Sequence, residues 1–176
     1  AVWAAATAAR AGGKPGLPDL ESLIALHRRF QGGGSGIDVA ASRLGGALSF
    51  ALEPDGAVRV GSVRLPNSVG FAGIFAGRSA ATPELIGIYR AFQSREPRRS
   101  AQLLDRLRAT AEAGCAAARG DDAAAFTAAI AAYGRGLNEL GVAMGAEIVT
   151  AEHREIGAEA GRYGVAYKVS GAGGGD

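Results

Sequence analysis

The chain has 176 residues and a formal net charge of +2, so it is long enough for one domain with a buried core and is nearly neutral. No basic run extends beyond the arginine pair at 98–99 and its neighbours, which excludes a dedicated polyanion-binding surface and a nucleic-acid partner. The longest stretch without a charged residue, 65–77, is shorter than the roughly 18–20 residues of a membrane-spanning helix, so no membrane insertion is expected. The single cysteine excludes an internal disulfide, no secretory signal is visible, and we expect a cytoplasmic protein.

The first quarter of the chain is predicted to hold three helices separated by glycine-rich breaks. The alanine-rich residues 1–11 favour a first helix. A short third helix is predicted over 38–44, after a glycine-dense loop, and a glycine pair ends it. Between them, Asp19 is the predicted N-cap of a second helix. The apolar face of this second helix is predicted to carry Leu20, Leu23, Ile24 and Phe30.

The middle of the chain alternates apolar and polar residues as strands do. Residues 47–53 and 57–65 flank a Pro-Asp-Gly turn, so they are predicted to form a hairpin. Further strands are predicted at 69–77 and 164–170.

The second half of the chain is predicted to be mostly helical. The Thr82-Pro83-Glu84 segment is typical of a helix start, because it combines a cap, a proline in the first turn and an acid near the positive end of the helix dipole. Later helices are predicted at about 98–119, 121–140 and 146–160. The abundance of alanine and of glycine, with 28 glycines, predicts close helix packing. The fold class is therefore expected to be α+β, with a small, mostly antiparallel sheet and helices packed on it.

Two glycine-rich segments are the candidates for binding chemistry. Residues 32–38 place glycines and Asp38 at a helix start, where a backbone can approach a ligand closely and N–H groups bind anions. Residues 168–176 place four glycines after a short β-branched run, where consecutive N–H groups can surround an anion. The second segment matches neither the P-loop nor the dinucleotide-binding spacing. Taken alone, each segment is also typical of a plain flexible loop, the first one ending in a helix cap.

The two histidines, His27 and His153, are expected to be surface residues. His27 lies beside two arginines, on what the sequence suggests is a polar helix face. Neither histidine has ligand-type spacing to a second one, so no protein-bound metal centre is predicted.

The two glycine segments, in this order, resemble motifs of the GHMP kinases, a superfamily of small-molecule kinases. The segment GSGIDVAASRLGG resembles the part that carries the family's active-site aspartate, which falls here on Asp38. The segment SGAGGGD resembles the family's C-terminal glycine loop, which lies near the nucleotide phosphates. The segments GRSAATPEL and VAYKVSGAGGGD are most similar to phosphomevalonate kinase and its mevalonate-pathway relatives. The family's N-terminal motif and its central triphosphate loop have no counterpart in these residues, so we expect a piece of a longer kinase, incomplete at its N-terminus and inactive alone.

The resemblance implies a division of labour along the chain. Residues 1–65 would be the end of the N-terminal kinase domain, and residues 66–176 the C-terminal domain. The implied partners are ATP with Mg²⁺ and a small-molecule acceptor, phosphomevalonate in the first instance. Alternatives are mevalonate kinase, another GHMP kinase acting on an alcohol, or a non-catalytic interaction domain derived from this fold.

The resemblance also implies roles for individual residues. Asp38 would be catalytic, and Ser35, Gly36 and Arg78 would bind substrate. The nucleotide would be held by Ser170, Gly171, Ala172, Gly173, Gly174 and Gly175. The oligomeric state is left open.

Overall fold

A computed structural model of the chain describes residues 19–31, 33–53, 55–76 and 82–175, and it confirms the α+β class. The chain divides into two compact units, Ala1–Leu65 (unit 1) and Pro66–Asp176 (unit 2). The assignment of these units to the two domains of a kinase stays a prediction. In chain order the elements are α1 (Leu20–Gln31), α2 (Ile37–Leu44), β1 (Ala47–Leu52), β2 (Val58–Val63), α3 (Thr82–Arg95), α4 (Pro97–Arg119), α5 (Ala123–Met144) and α6 (Ala151–Arg162). Within the described ranges, no helix combines the length and the apolar character needed to cross a bilayer.

Helix α1 begins where the sequence predicts, because Asp19 caps it. The Asp19 carboxylate accepts hydrogen bonds from the Ser22 backbone N–H and from the Ser22 hydroxyl, each at 2.8 Å. These two bonds lower the pKa of the Asp19 carboxyl, since they favour its charged form. The predicted helix over residues 1–11 lies outside the described residues.

The core of unit 1 is a small apolar cluster between α1 and α2. Leu23, Ile24 and Val39 are each 2% exposed, and Leu20, Leu26 and Val58 pack against them. Phe30, predicted on the same face, is instead 83% exposed. The apolar cluster includes α1 residues only as far as Leu26, and Phe30 lies one helical turn beyond that point.

The predicted hairpin is confirmed. Strands β1 and β2 pair antiparallel, in a register that runs from Ala47 opposite Val63 to Leu52 opposite Val58. The turn is closed by the Asp55 carboxylate, which accepts the Ala57 N–H at 2.9 Å.

The other two predicted strands are wrong: described residues 69–76 and 165–170 form no strand. The sheet has two strands in the described part of the chain, and they pair only with each other. Alternating apolar residues favour an extended backbone, but a strand also needs hydrogen bonds to a neighbouring strand, and within the described residues neither segment makes such a pairing.

Unit 2 is built from helices α3 to α6 and is stabilised by one apolar core. The predicted helices are confirmed, but some of their ends are shifted. Helix α5 extends to Met144 and ends at Gly145, whose φ is +74°. Helix α6 begins later than predicted, directly after its N-cap Thr150. Helices α4 and α5 pack on each other and are linked by an ion pair of 2.7 Å between Arg106 and Glu139. The buried core comprises Phe92, Leu103, Leu107, Leu140, Met144, Ile148 and Val169.

Candidate functional site

Asp38, the predicted catalytic residue, lies in the first turn of α2 with its side chain 61% exposed. The unpaired N–H groups at a helix start carry partial positive charge, so they stabilise a carboxylate there. With this exposure, the Asp38 carboxylate is open to a ligand.

The loop before Asp38 is fixed by hydrogen bonds from α1. The Arg28 guanidinium donates to the Gly34 carbonyl at 3.0 Å and to the Ser35 carbonyl at 3.1 Å. The Ser35 hydroxyl accepts the Ile37 N–H at 3.4 Å. The backbone of this glycine-rich loop is thus held by a side chain.

Among the described glycines of this loop, 33, 34 and 36, Gly36 is the one whose added side chain would meet a neighbour. Its φ is +85°, a conformation that side chains rarely adopt. A Cβ built there would lie 2.8 Å from two carbons of the Ile24 side chain. The predicted substrate-binding residues Ser35 and Gly36 therefore lie next to Asp38 in the chain and against α1 in space.

His27 is the neighbour of Asp38 that sequence reasoning missed, because the expectation of a surface histidine was wrong. Its side chain is 7% exposed, and its Nε2 lies 3.3 Å from Oδ2 of Asp38. The signal was in the spacing: positions 20, 23, 24 and 27 follow the i, i+3, i+4, i+7 pattern of one helix face. His27 is therefore the next residue along the apolar face of α1.

The glycine loop at 170–175 belongs to unit 2, and part of its hydrogen-bonding capacity is used within the protein. The Gly173 N–H donates to the Ser170 carbonyl at 3.2 Å, and the Gly174 N–H donates to the Ile148 carbonyl at 2.8 Å. In the described part of the chain, the N–H groups of Gly171 and Ala172 donate to no protein acceptor. The loop's role in nucleotide binding stays a prediction. In this prediction, the N–H groups of Gly171 and Ala172 are available to donate to a phosphate.

Lys168 is the basic residue closest in sequence to this loop. Its Nζ donates to the Val169 carbonyl at 2.7 Å and lies 5.9 Å from the centre of the Tyr133 ring. Burial lowers the pKa of the Lys168 ammonium, because a half-buried charge loses hydration. Arg78, the remaining predicted substrate residue, lies outside the described residues.

His153 is also buried, at 1% exposure, so the surface expectation is wrong for it as well. Its Nδ1 accepts the Thr150 N–H at 3.2 Å, while the Thr150 hydroxyl accepts the His153 N–H at 3.4 Å. This reciprocal pair is a capping box, with histidine where glutamate or glutamine is usual. The side-chain hydrogen bond of His153 thus belongs to the N-terminal cap of helix α6.

Two surface cavities on unit 2 are lined by described residues outside the 170–175 loop. One of about 700 Å³ lies between α4 and α5, where it is lined by Arg99 and Asn138 among others. The other, of about 520 Å³, lies between α5 and α6 and is lined by His153 and Lys168 among others. Among the described residues, no group of three or more His, Cys, Asp or Glu side chains could hold a metal ion.

Comparison with known proteins gives a fold relative. No protein-family model and no curated protein matches the chain. The chain is similar in structure to the crystal structure of a Lin0012 protein from Listeria innocua, with a TM-score of 0.76 and 23% sequence identity. The match covers 85% of this chain and 48% of the Listeria protein, so this chain spans about half of that protein's length. At that identity, the likeness shows a shared fold.

Proposed function

We propose that this chain is part of an ATP-dependent small-molecule kinase of the GHMP type, which transfers the γ-phosphoryl group of Mg·ATP to phosphomevalonate. The observation that carries the proposal is the exposed Asp38 carboxylate at the start of α2, beside a glycine loop held by Arg28. A kinase needs an accessible carboxylate at its acceptor site, next to a backbone that the acceptor can approach closely. The resemblance of this segment and of residues 170–175 to GHMP motifs supports the same conclusion.

The proposed transfer depends mainly on positioning and charge stabilisation. The acceptor oxygen forms a bond to the γ-phosphorus while the bond from that phosphorus to the bridging oxygen breaks, and ADP leaves with the electron pair. The N–H groups of Gly171 and Ala172 would donate to phosphate oxygens. Mg²⁺ in such sites is held largely by the phosphates and one or two carboxylates, so it needs no dedicated protein cage.

The role of Asp38 depends on the acceptor. An alcohol such as mevalonate loses a proton during transfer, and the Asp38 carboxylate would accept it as a general base. A phosphomonoester is already mostly dianionic near pH 7, since its second pKa is about 6. With phosphomevalonate, Asp38 would therefore orient the acceptor instead of taking a proton.

A non-catalytic interaction domain is the second candidate function. The observation that favours it is an exposed apolar run in unit 2, where Phe71, Ile74 and Phe75 are 64%, 62% and 72% exposed. Exposed apolar side chains that lie close together mark contact surfaces more often than catalytic ones.

The test is ADP release by the full-length protein with Mg·ATP and, in turn, phosphomevalonate, mevalonate, homoserine and galactose. We expect release with phosphomevalonate. If an alcohol is the acceptor, Asp38→Asn should lower kcat by about 10²–10⁴-fold, which is the usual contribution of a general base. Asp55→Asn is the matched control, because it makes the same charge change in the hairpin turn of the same unit.

Three results would change this conclusion. A loss below about tenfold with an alcohol acceptor would remove Asp38 as general base. ATP binding without release would retain the nucleotide site and require another acceptor. If ATP did not bind, the interaction-domain function would take its place. A cytoplasmic location is proposed together with the kinase function.

A further inference from the structure

The buried imidazole of His27 and the exposed carboxylate of Asp38 form a pair that joins α1 to α2. We infer that His27 is a positioning residue, which holds the Asp38 carboxylate in the direction of the phosphoryl acceptor; the inference rests on the proposed function. Their contact is the 3.3 Å approach of His27 Nε2 to Asp38 Oδ2. The two residues are eleven positions apart in the chain, so this contact is made by the fold and not by local geometry.

The two side chains differ in how firmly each is held. The His27 ring is 7% exposed and lies on the same helix as Leu23 and Ile24, which are each 2% exposed. Packing fixes a buried ring in one rotamer, whereas an exposed aspartate can rotate freely in solvent. A contact from a ring nitrogen that is fixed in place would therefore favour one orientation of the mobile carboxylate. This is why His27 acts on Asp38 and not the reverse.

The contact also divides the work between the two carboxylate oxygens. With His27 Nε2 beside Oδ2 of Asp38, Oδ1 would be the oxygen that faces the acceptor. In an alcohol transfer, Oδ1 would take the hydroxyl proton as the O–P bond forms. With a phosphorylated acceptor, the same oxygen would orient the acceptor. His27 itself needs no change of protonation in either case.

The same turn of α1 also holds the glycine loop. Ile24, His27 and Arg28 follow the i, i+3, i+4 spacing, which places them on one helix face. Ile24 packs against Gly36, His27 contacts Asp38, and Arg28 bonds the carbonyls of residues 34 and 35. One helical turn thus determines both the path of the loop and the direction of the carboxylate.

The first experiment compares two substitutions at position 27 in the full-length protein. Glutamine carries an N–H donor near the place of Nε2, whereas leucine fills similar volume and carries none. We expect His27→Leu to lower kcat roughly 10- to 10²-fold, since a misdirected catalytic group costs that much, with little change in the KM for ATP. His27→Gln should recover most of the lost kcat. A merely structural role would not produce this rescue.

His153→Leu is the control for burial. It also replaces a buried histidine by leucine, but its hydrogen bonds serve the start of α6. It should lower the melting temperature and leave kcat unchanged. Equal kcat values for the wild type and His27→Leu, in protein that is folded by circular dichroism, would overturn the inference.

The second experiment observes the contact without any turnover. The ¹⁵N resonance of His27 Nε2 should shift in Asp38→Asn and stay in place in Glu21→Gln, which makes the same charge change in the first turn of α1. An Nε2 resonance that is the same in both variants would overturn the contact, whatever the activity. A shifted resonance in a protein that binds ATP but phosphorylates no acceptor would overturn the proposed function and the positioning role of His27, while the contact itself would stand.

Discussion

At the scale of single residues, Gly173 is the position of the 170–175 loop where a side chain fits least. Its φ is +73°, and a Cβ there would overlap the Ile148 carbonyl oxygen and lie 2.7 Å from the Ile148 Cγ2. The neighbouring Gly174 N–H is bonded to that same carbonyl. A methyl group at 173 would therefore push the loop away from the turn that precedes α6.

Gly173→Ala should destabilise the protein more than Gly171→Ala does. Gly171 has a similar left-handed backbone, with φ +57°, but nothing lies within 4 Å of its Cβ position. Both variants carry the left-handed strain of about 1–2 kcal/mol, and only Gly173→Ala adds the overlap. Urea unfolding of the two variants measures the difference. Equal losses would show that the loop can leave Ile148 freely.

The two histidines show which residue properties the sequence reveals and which it hides. His27 was predicted on a polar face because of its two arginine neighbours, although its spacing from Leu20, Leu23 and Ile24 matches the apolar face on which it lies. His153 could not be placed from the apolar pattern, because its burial depends on a cap at Thr150 in which histidine takes an unusual place. The sequence motif predicted Asp38 as a site residue, whereas its contact with His27 became visible only in the fold.

At the scale of elements, helix α6 depends on the cap that Thr150 provides. The first N–H groups of a helix have no partner within it, and the Thr150 hydroxyl satisfies the one at His153. Thr150 is 1% exposed, so water cannot replace the lost acceptor easily.

Thr150→Val keeps the shape of this side chain and removes its oxygen. We expect the free energy of unfolding to fall by about 0.5–2 kcal/mol, the usual value of an N-cap. Thr127→Val is the control, because the Thr127 hydroxyl bonds carbonyls of its own helix α5 that already have helical partners. Thermal or urea unfolding of both variants gives the comparison. A larger loss at 127 than at 150 would contradict the role of the cap.

Helices were predictable from the sequence and isolated strands were not, for a physical reason. A helix satisfies its hydrogen bonds within one segment, so caps such as Asp19 and breakers such as Gly45 mark its ends. A strand outside a hairpin depends on a partner elsewhere. The β1–β2 pair was predictable because only five residues separate the two strands, whereas 69–76 and 165–170 carry the pattern without the pairing.

At the scale of the whole molecule, each unit has an apolar cluster of its own. The cluster around Leu23 contains residues of unit 1, and the cluster around Phe92 contains residues of unit 2. Chains of this kind often depart from two-state unfolding, because each cluster can be lost separately.

Leu23→Ala and Phe92→Ala should therefore affect different parts of the chain. A buried leucine truncated to alanine costs about 2–5 kcal/mol and a buried phenylalanine about 3–5 kcal/mol. We expect hydrogen exchange to accelerate in 19–65 for Leu23→Ala and in 82–175 for Phe92→Ala. Phe75→Ala is the control, since Phe75 is 72% exposed. Acceleration throughout the chain in either core variant would show a single cooperative structure instead.

Helix α5 has glycines on two opposite faces where neighbours lie close, and this limits the insertions and deletions that the helix can accept. Cβ atoms at Gly134 and Gly141 would meet the carbonyls of Tyr167 and Ala146 at 2.8 and 2.7 Å, and a Cβ at Gly136 would meet Leu107 at 2.8 Å. One residue more or fewer rotates the rest of a helix by about 100°, since a turn has 3.6 residues. A single-residue deletion between 136 and 141 would thus turn larger side chains toward neighbours that tolerate none. In a library of variants selected for folded protein, one-residue insertions and deletions within 136–141 should therefore be lost more often than most substitutions in the same segment.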